Sequence, residues 1–296
     1  MGRIGGGMIN IVSHEGHAFS SNFSGSVLNP EAGNLLVVTV HLQAGVVNSL
    51  TYAGVAPTLI VAATADWPQT YIYVMPDDDL PQSGQTHSLE IGSSSPSGAV
   101  TITKIAGADL TVPINNWPVS TVDDNGTSMD ISVSVESPAA CLVLGALTHR
   151  DGCPADGTGD GELLSAECFD SPRGYAVSAR SETQPGTYSL GWKWGVTNRR
   201  RVCAVAIPMI LLFVSGTIYD RKGNPCKRKV YAMRRPTDGS APHVLAHGQS
   251  DPTTGAYELT LSTDEEVTLV VVAEDESTPS PNDPVLPDLC QRVIPG

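Results

Sequence analysis

The sequence predicts an all-β protein built as two antiparallel β-sandwich domains, and three observations carry that prediction. Apolar residues recur with a period of two in one segment after another. Clusters of Gly, Pro, Asn, Asp and Ser separate those segments, and no stretch shows the 3.6-residue apolar period of a convincing amphipathic helix. Successive side chains of a strand point to opposite faces, so each alternating segment covers a core on one side and meets water on the other. Strands of that kind belong to antiparallel sheets, because parallel ones are usually buried on both faces. Gly (29) and Pro (22) together make about one residue in six, above average usage, while charged residues reach only 16%.

Along the chain, residues 1–8 (Met1-Gly-Arg-Ile-Gly-Gly-Gly-Met8) are expected to form a flexible arm that orders on a partner. Residues 9–212 are expected to form one large sandwich. Leu36, Val38, Val40 and Leu42 share one parity, with Thr39 and His41 opposite. Met129, Ile131, Val133 and Val135 alternate with Asp130, Ser132, Ser134 and Glu136; Tyr188, Leu190, Trp192 and Trp194 alternate with Ser189, Gly191 and Lys193. Residues 162–170 read as two helical turns at most, and residues 200–212 as a closing central strand. Residues 213–296 open a second domain, in which Tyr257, Leu259 and Leu261 alternate with Glu258, Thr260 and Ser262. Turn clusters such as Asp123-Asp-Asn-Gly126, Asp156-Gly-Thr-Gly-Asp-Gly161 and Asp220-Arg-Lys-Gly-Asn-Pro225 supply the positive-φ positions that tight turns need.

The formal charge of −14 argues against a nucleic-acid partner, since phosphate binding needs clustered positive charge. The opening residues lack the apolar core of a secretory signal, so synthesis in a cytoplasm is expected. The longest apolar run, residues 202–214, is 13 residues with a proline inside, too short for membrane insertion. Six cysteines contain no CxxC pair, which removes zinc ribbons and thioredoxin-like motifs. Cys141 and Cys203 read as small buried hydrophobes. Cys153 and Cys168 flank a loop and would pair only in an oxidising setting, so the plain expectation is six free thiols.

Motifs that could carry chemistry are each matched by a plainer reading. His14-Glu-Gly-His17 spaces its histidines three apart, not the four of HExxH, and reads as a solvated loop or edge strand. Residues 156–167 approach a calcium loop, but Thr158 and Leu164 stand where acidic or polar ligands are usual and no helix precedes them. Gly157, Gly159 and Gly161 lack the βαβ context of a dinucleotide site, and no nucleophile elbow or phosphate loop exists. The acidic runs Asp77-Asp-Asp79, Asp264-Glu-Glu266 and Glu274-Asp-Glu276 read as solvated turns. No catalytic, metal or cofactor residue is therefore assigned, and the expectation is a protein that is not an enzyme. The remaining candidates are surface contacts. Arg199, Arg200 and Arg201, like Lys227-Arg-Lys229 and Arg234-Arg235, either meet an acidic neighbouring subunit or another anionic partner, or guard strand edges against mispairing. Trp67 and Trp117, each before a proline, offer an aromatic face for stacking on a sugar or close the rim of a sandwich. Trp192 and Trp194 sit on inward parity and read as core.

Two resemblances sharpen the functional expectation. Val214-Ser-Gly-Thr-Ile218, Gly223-Asn-Pro225, Lys229-Val230, Gly255-Ala-Tyr-Glu-Leu259 and Val267-Thr-Leu-Val-Val-Val272 make residues 213–296 resemble the transthyretin-like, or carboxypeptidase-regulatory-like, β-sandwich. Asp220-Arg-Lys-Gly-Asn-Pro225 with the closing Gln291-Arg-Val-Ile-Pro295 looks like the version at the ends of bacteriophage tail and virion proteins. Gly33-Asn-Leu-Leu-Val-Val-Thr-Val40, Leu50-Thr-Tyr-Ala-Gly-Val-Ala56, Tyr71-Ile-Tyr-Val-Met-Pro76 and Ser189-Leu-Gly-Trp192 are similar to a large, jelly-roll-like sandwich common in phage structural proteins. The resemblances imply a non-catalytic structural component of a phage particle, located in the virion. A place on the tail (tip, baseplate or fibre junction) leads, with other virion proteins and copies of itself as partners. The alternatives they leave are a capsid decoration or cement protein, and a module binding host surface glycan through Trp67 or Trp117.

Overall fold

The computed structural model describes residues 10–29, 35–65, 67–76, 79–80, 84–125, 130–150, 161–170, 173–182, 184–193, 197–209, 212–219, 222–234, 243–261, 267–273 and 288–293. The expected arm, Trp194 and nearly all of the three acidic runs lie outside these residues. The chain is all-β, with every named strand pair antiparallel, and it divides into two compact units, Met1–Ile210 and Leu211–Gly296.

The first unit opens with β1 (Asn10–Phe19), β2 (Asn22–Asn29), β3 (Leu35–Leu42), β4 (Val47–Tyr52), β5 (Thr58–Ala63), β6 (Gln69–Pro76), β7 (Gln85–Ser93) and β8 (Gly98–Ala106). They form a five-stranded sheet ordered β1-β8-β3-β6-β5 and a three-stranded sheet ordered β2-β7-β4. The two sheets enclose one core, in which Leu36, Val38, Val40, Leu42, Tyr71, Tyr73, Val100 and Ile102 meet Val27, Leu50, Tyr52, Leu89 and Ile91. A two-residue turn closes β4: Ala53 (φ 52°) and Gly54 (φ 82°) both take positive φ while Tyr52 and Val55 exchange backbone hydrogen bonds. Right-twisted strands favour this turn geometry in a hairpin.

The chain then repeats itself. β9 (Val119–Asn125), β10 (Asp130–Ser137), β11 (Cys141–His149), β12 (Glu162–Asp170), β13 (Arg173–Glu182), β14 (Gly186–Lys193) and β15 (Arg199–Pro208) form a five-stranded sheet ordered β9-β15-β11-β13-β12 and a pair β10-β14. Matching β1 to β9, β2 to β10, β3 to β11, β5 to β12, β6 to β13, β7 to β14 and β8 to β15 carries the first topology onto the second in chain order. Only β4 has no described counterpart. The second core likewise lies between its sheets, with Ile131, Val133, Val135, Leu190 and Trp192 against Cys141, Val143, Leu147, Ala176, Val202, Ala204 and Ala206. So the first unit holds two like pairs of layers where one large sandwich was expected.

The two five-stranded sheets face each other across a seam, which corrects the expectation that each strand keeps one wet face. All eight residues of β3 are buried, including Thr39 and His41. Toward one end the seam is apolar, with Leu35, Val37, Ile72, Val74 and Ile105 on one sheet and Leu142, Leu144, Val205 and Ile207 on the other, all fully buried. Burying a side chain of this size contributes about 1.5–3 kcal/mol. Toward the other end it is hydroxyl- and imidazole-lined. Glu162–Asp170 is a strand, not helical turns, because it completes the edge of this sheet against β13. His14-Glu-Gly-His17 lies in edge strand β1, paired with β8.

The second unit comprises β16 (Leu212–Thr217), β17 (Arg228–Arg234), β18 (His243–Gln249), β19 (Ala256–Leu261), β20 (Val267–Ala273) and β21 (Asp288–Val293). β16 pairs with β19, and the other four order as β18-β17-β20-β21. Val230, Ala232 and Leu259 are buried within it. At the entry to β19, Gly255 holds φ 70°, and a Cβ there would fall 2.2 Å from the Ile218 carbonyl oxygen. Only glycine fits that approach.

Candidate functional site

The candidates read from the sequence separate in space. Arg199, Arg201 and Trp67 come together at the polar end of the seam, with Arg200 between them on the opposite face of β15, the face of the second core. Trp117 does not join them: it precedes β9 at that strand's opposite end. It is buried and its indole N–H donates to the Val112 carbonyl at 3.2 Å, so it is a packed residue and not an exposed stacking platform. Trp67 is half-buried, and the Arg150 guanidinium lies 3.8 Å over its ring as a cation–π contact. The backbone N–H of Arg150 donates to the Arg199 carbonyl at 3.1 Å, which ties the tryptophan corner to the arginine run.

Arg200 and Arg201 are buried, not surface charges awaiting a partner. The β15–β9 register sets Arg200 opposite Asp124 and Arg201 opposite Asp123. Arg200 donates to the Asp124 carboxylate, and the Arg201 Nε lies 3.0 Å from Asp123. Opposite charges directly across an antiparallel pair attract, and a desolvated guanidinium needs such a partner to be tolerated at all. Arg199, half-buried, is the most accessible of the three. The acidic partners belong to the turn cluster Asp123-Asp-Asn-Gly126, so residues read separately as a turn and a basic island are one internal network.

Between the sheets a chain of hydroxyls and imidazoles spans the seam. The His41 ring bonds Thr148 of the opposite sheet through Nδ1 at 2.9 Å and Thr39 through Nε2 at 3.0 Å. Thr148 donates to the Gln69 carbonyl at 3.1 Å and lies 2.7 Å from the Thr70 hydroxyl, which itself donates to the Arg201 carbonyl at 2.9 Å. Tyr175 stacks on the His41 ring with centroids 4.7 Å apart, and its hydroxyl donates to Glu167 at 3.2 Å. Nearer the sheet edge, His14 bridges Thr103 and Ser165, each at 2.8 Å.

Burial decides the charge state of this layer. Desolvation lowers the His14 pKa to about 4. Desolvation foremost, and then the nearby His14, lowers His41 to about 3. Both rings are therefore neutral near pH 7. Cys203, whose thiol donates to the Thr70 carbonyl at 3.2 Å, is pushed up by burial and is no nucleophile. Cys141, Cys203 and Cys226 are free thiols, whereas Cys168 is disulfide-bonded, which corrects the expectation of six free thiols. Among the described residues no cluster of three or more His, Cys, Asp or Glu is placed to hold a metal; the first part of the calcium-like segment, residues 156–160, lies outside them.

Sequence reasoning missed the seam residues Thr70, Thr101, Thr103 and Thr148, and the repeat that aligns them. A signal was present. Phe23-Ser-Gly-Ser-Val-Leu-Asn-Pro30 runs parallel to Ile131-Ser-Val-Ser-Val-Glu-Ser-Pro138, and Ser88-Leu-Glu-Ile91 to Ser189-Leu-Gly-Trp192. The residues before the two prolines, Asn29 and Ser137, are both buried polar groups. Comparison of the chain with protein-family models, curated proteins and solved structures finds no match. The fold and the seam together define a multi-layered all-β protein with a layer of polar side chains buried between two of its sheets.

Proposed function

We propose that the chain is a non-catalytic structural component of a bacteriophage particle, acting through contacts with neighbouring virion proteins, and that its place is on the tail. The observation that carries the structural reading is the seam. His14, His41 and Arg201, with Arg200 on the opposite face of β15, the groups best suited to chemistry or ligand binding, are engaged with partners in the same unit. Such a layer joins two like halves into one stiff body, a property suited to a part that transmits load. The phage assignment rests on the resemblance of residues 213–296 to the transthyretin-like sandwich of tail and virion proteins, and of residues 9–212 to phage structural sandwiches. Glycan binding loses support, since Trp117 is buried and one face of Trp67 is covered by Arg150.

The test is immunogold imaging of purified particles carrying an epitope tag on this chain. Gold at the tail tip or baseplate is the expected result. Gold over the capsid surface would move the protein to the decoration class, and particles without label would remove the virion reading.

A further inference from the structure

We propose that the outer edge of β14 is a strand-acceptor site, taking up an extended segment of another protein antiparallel to β14. The two halves of the first unit supply the argument, and it stands on their fold whether or not the particle reading holds. In the first half, β4 lies on the far side of β7 from β2, paired antiparallel from Val47 opposite Ser93 to Tyr52 opposite Leu89. It turns Leu50 and Tyr52 into the core beside Leu89 and Ile91, and the Tyr52 hydroxyl donates to the Val27 carbonyl at 3.3 Å. In the second half, β14 takes the place of β7, with Leu190 and Trp192 where Leu89 and Ile91 stand. Among the described residues β14 pairs with β10 alone. The Trp192 side chain is buried, yet no group among the described residues accepts its indole N–H. A buried donor without an acceptor is costly, on the order of 1–3 kcal/mol.

The chain's own sequence is ill suited to fill the place. The first-half connection, residues 43–57, carries Leu50 and Tyr52. The corresponding connection, Arg150-Asp-Gly-Cys-Pro-Ala-Asp-Gly-Thr-Gly-Asp-Gly161, has four glycines, a proline and no Leu, Ile, Val or aromatic residue. Glycine and proline weaken a strand, and nothing in it offers two large apolar side chains to the core. The described strands of a second copy are already committed to its own sheets, which points to a different protein as donor. The β4 pairing specifies the donor's chemistry: six or more residues, without proline, presenting two large apolar side chains two residues apart. Beside Thr187, Ser189 and Gly191 on the outer face, its alternate side chains meet little obstruction. Strand addition of this type draws affinity from backbone hydrogen bonds and specificity from the inward side chains.

Hydrogen exchange on the full chain tests this, with a synthetic peptide of residues 46–53 (VVNSLTYA) as the probe and the same peptide with both Leu50 and Tyr52 replaced by Ser as control. The expected result is that β14 amides not bonded to β10 exchange faster than those of β7 that bond β4. Saturating peptide should then slow them at least tenfold, and the control peptide should not. Edge amides of β14 already as protected as those of β7 in dilute protein would overturn the proposal. So would equal protection by both peptides, or protection that rises with the protein's own concentration, which would assign the edge to a second copy.

Discussion

His41 shows what one residue settles in this fold. Its two ring nitrogens bond Thr148 and Thr39, and Tyr175 covers its face, so the opposing sheets are matched in one register. A slip would orphan several buried groups at about 1–3 kcal/mol each, whereas each bond made adds a net of only about 1 kcal/mol. The polar layer thus selects an arrangement more than it deepens stability. It also makes the unit acid-sensitive. Both histidines have folded pKa values below their unfolded value of about 6.5, so the unfolded chain binds more protons across the interval between them. Their contribution is complete above pH 6.5 and declines as pH falls, until His14 protonates in the fold near pH 4 and His41 near pH 3. Each should contribute a slope of roughly 1.4 kcal/mol per pH unit in that window. Urea unfolding at pH 7 and pH 5, before carboxylates titrate much, should show a loss in the wild type that a His14→Gln, His41→Gln variant largely lacks. Equal losses in both proteins would place these rings in contact with water.

At the scale of the strand, alternation in the sequence was a good guide wherever one face meets solvent. β10 shows it cleanly: Ile131, Val133 and Val135 are buried and the residues between them exposed. It misled in β3, where Thr39 and His41 read as a wet face because polar identity reports chemistry, not the second sheet that covers it. It failed again at residues 162–170, where a half-buried edge strand has no clear period of two. Of the candidate site, the arginine run and Trp67 were legible as residues but not their burial, since the Asp partners lie 76 and 78 positions away and only strand register brings them opposite. The Gly-Ala-Tyr entry to β19 yields a sharper expectation. Gly255→Ala must take φ 70° with its Cβ against the Ile218 carbonyl, so the second unit should lose at least about 1–3 kcal/mol in thermal or urea unfolding. A loss under about 0.3 kcal/mol would mean that the turn relaxes freely.

On the scale of the molecule, the first unit is a tandem repeat folded back on itself, and the second unit is a separate body by its contacts. The repeat escaped notice because a core tolerates many apolar combinations once volume and parity are kept, so that two copies retain topology while sharing few identities. What remained in common, the Ser-x-Ser-Val runs within β2 and β10 and the buried Asn29 and Ser137 that end them before proline, marks strand interiors and ends and not a catalytic motif. Fusion of the two halves through the seam is the claim on which the rigid-component reading depends. Native-state hydrogen exchange on wild type and a His41→Leu variant tests it most directly. The account predicts that the slowest amides of β3 and of β11 open together, and that the substitution lowers protection in both by the same factor. Faster exchange in β3 with β11 unchanged would show two independently stable halves, and would contradict it.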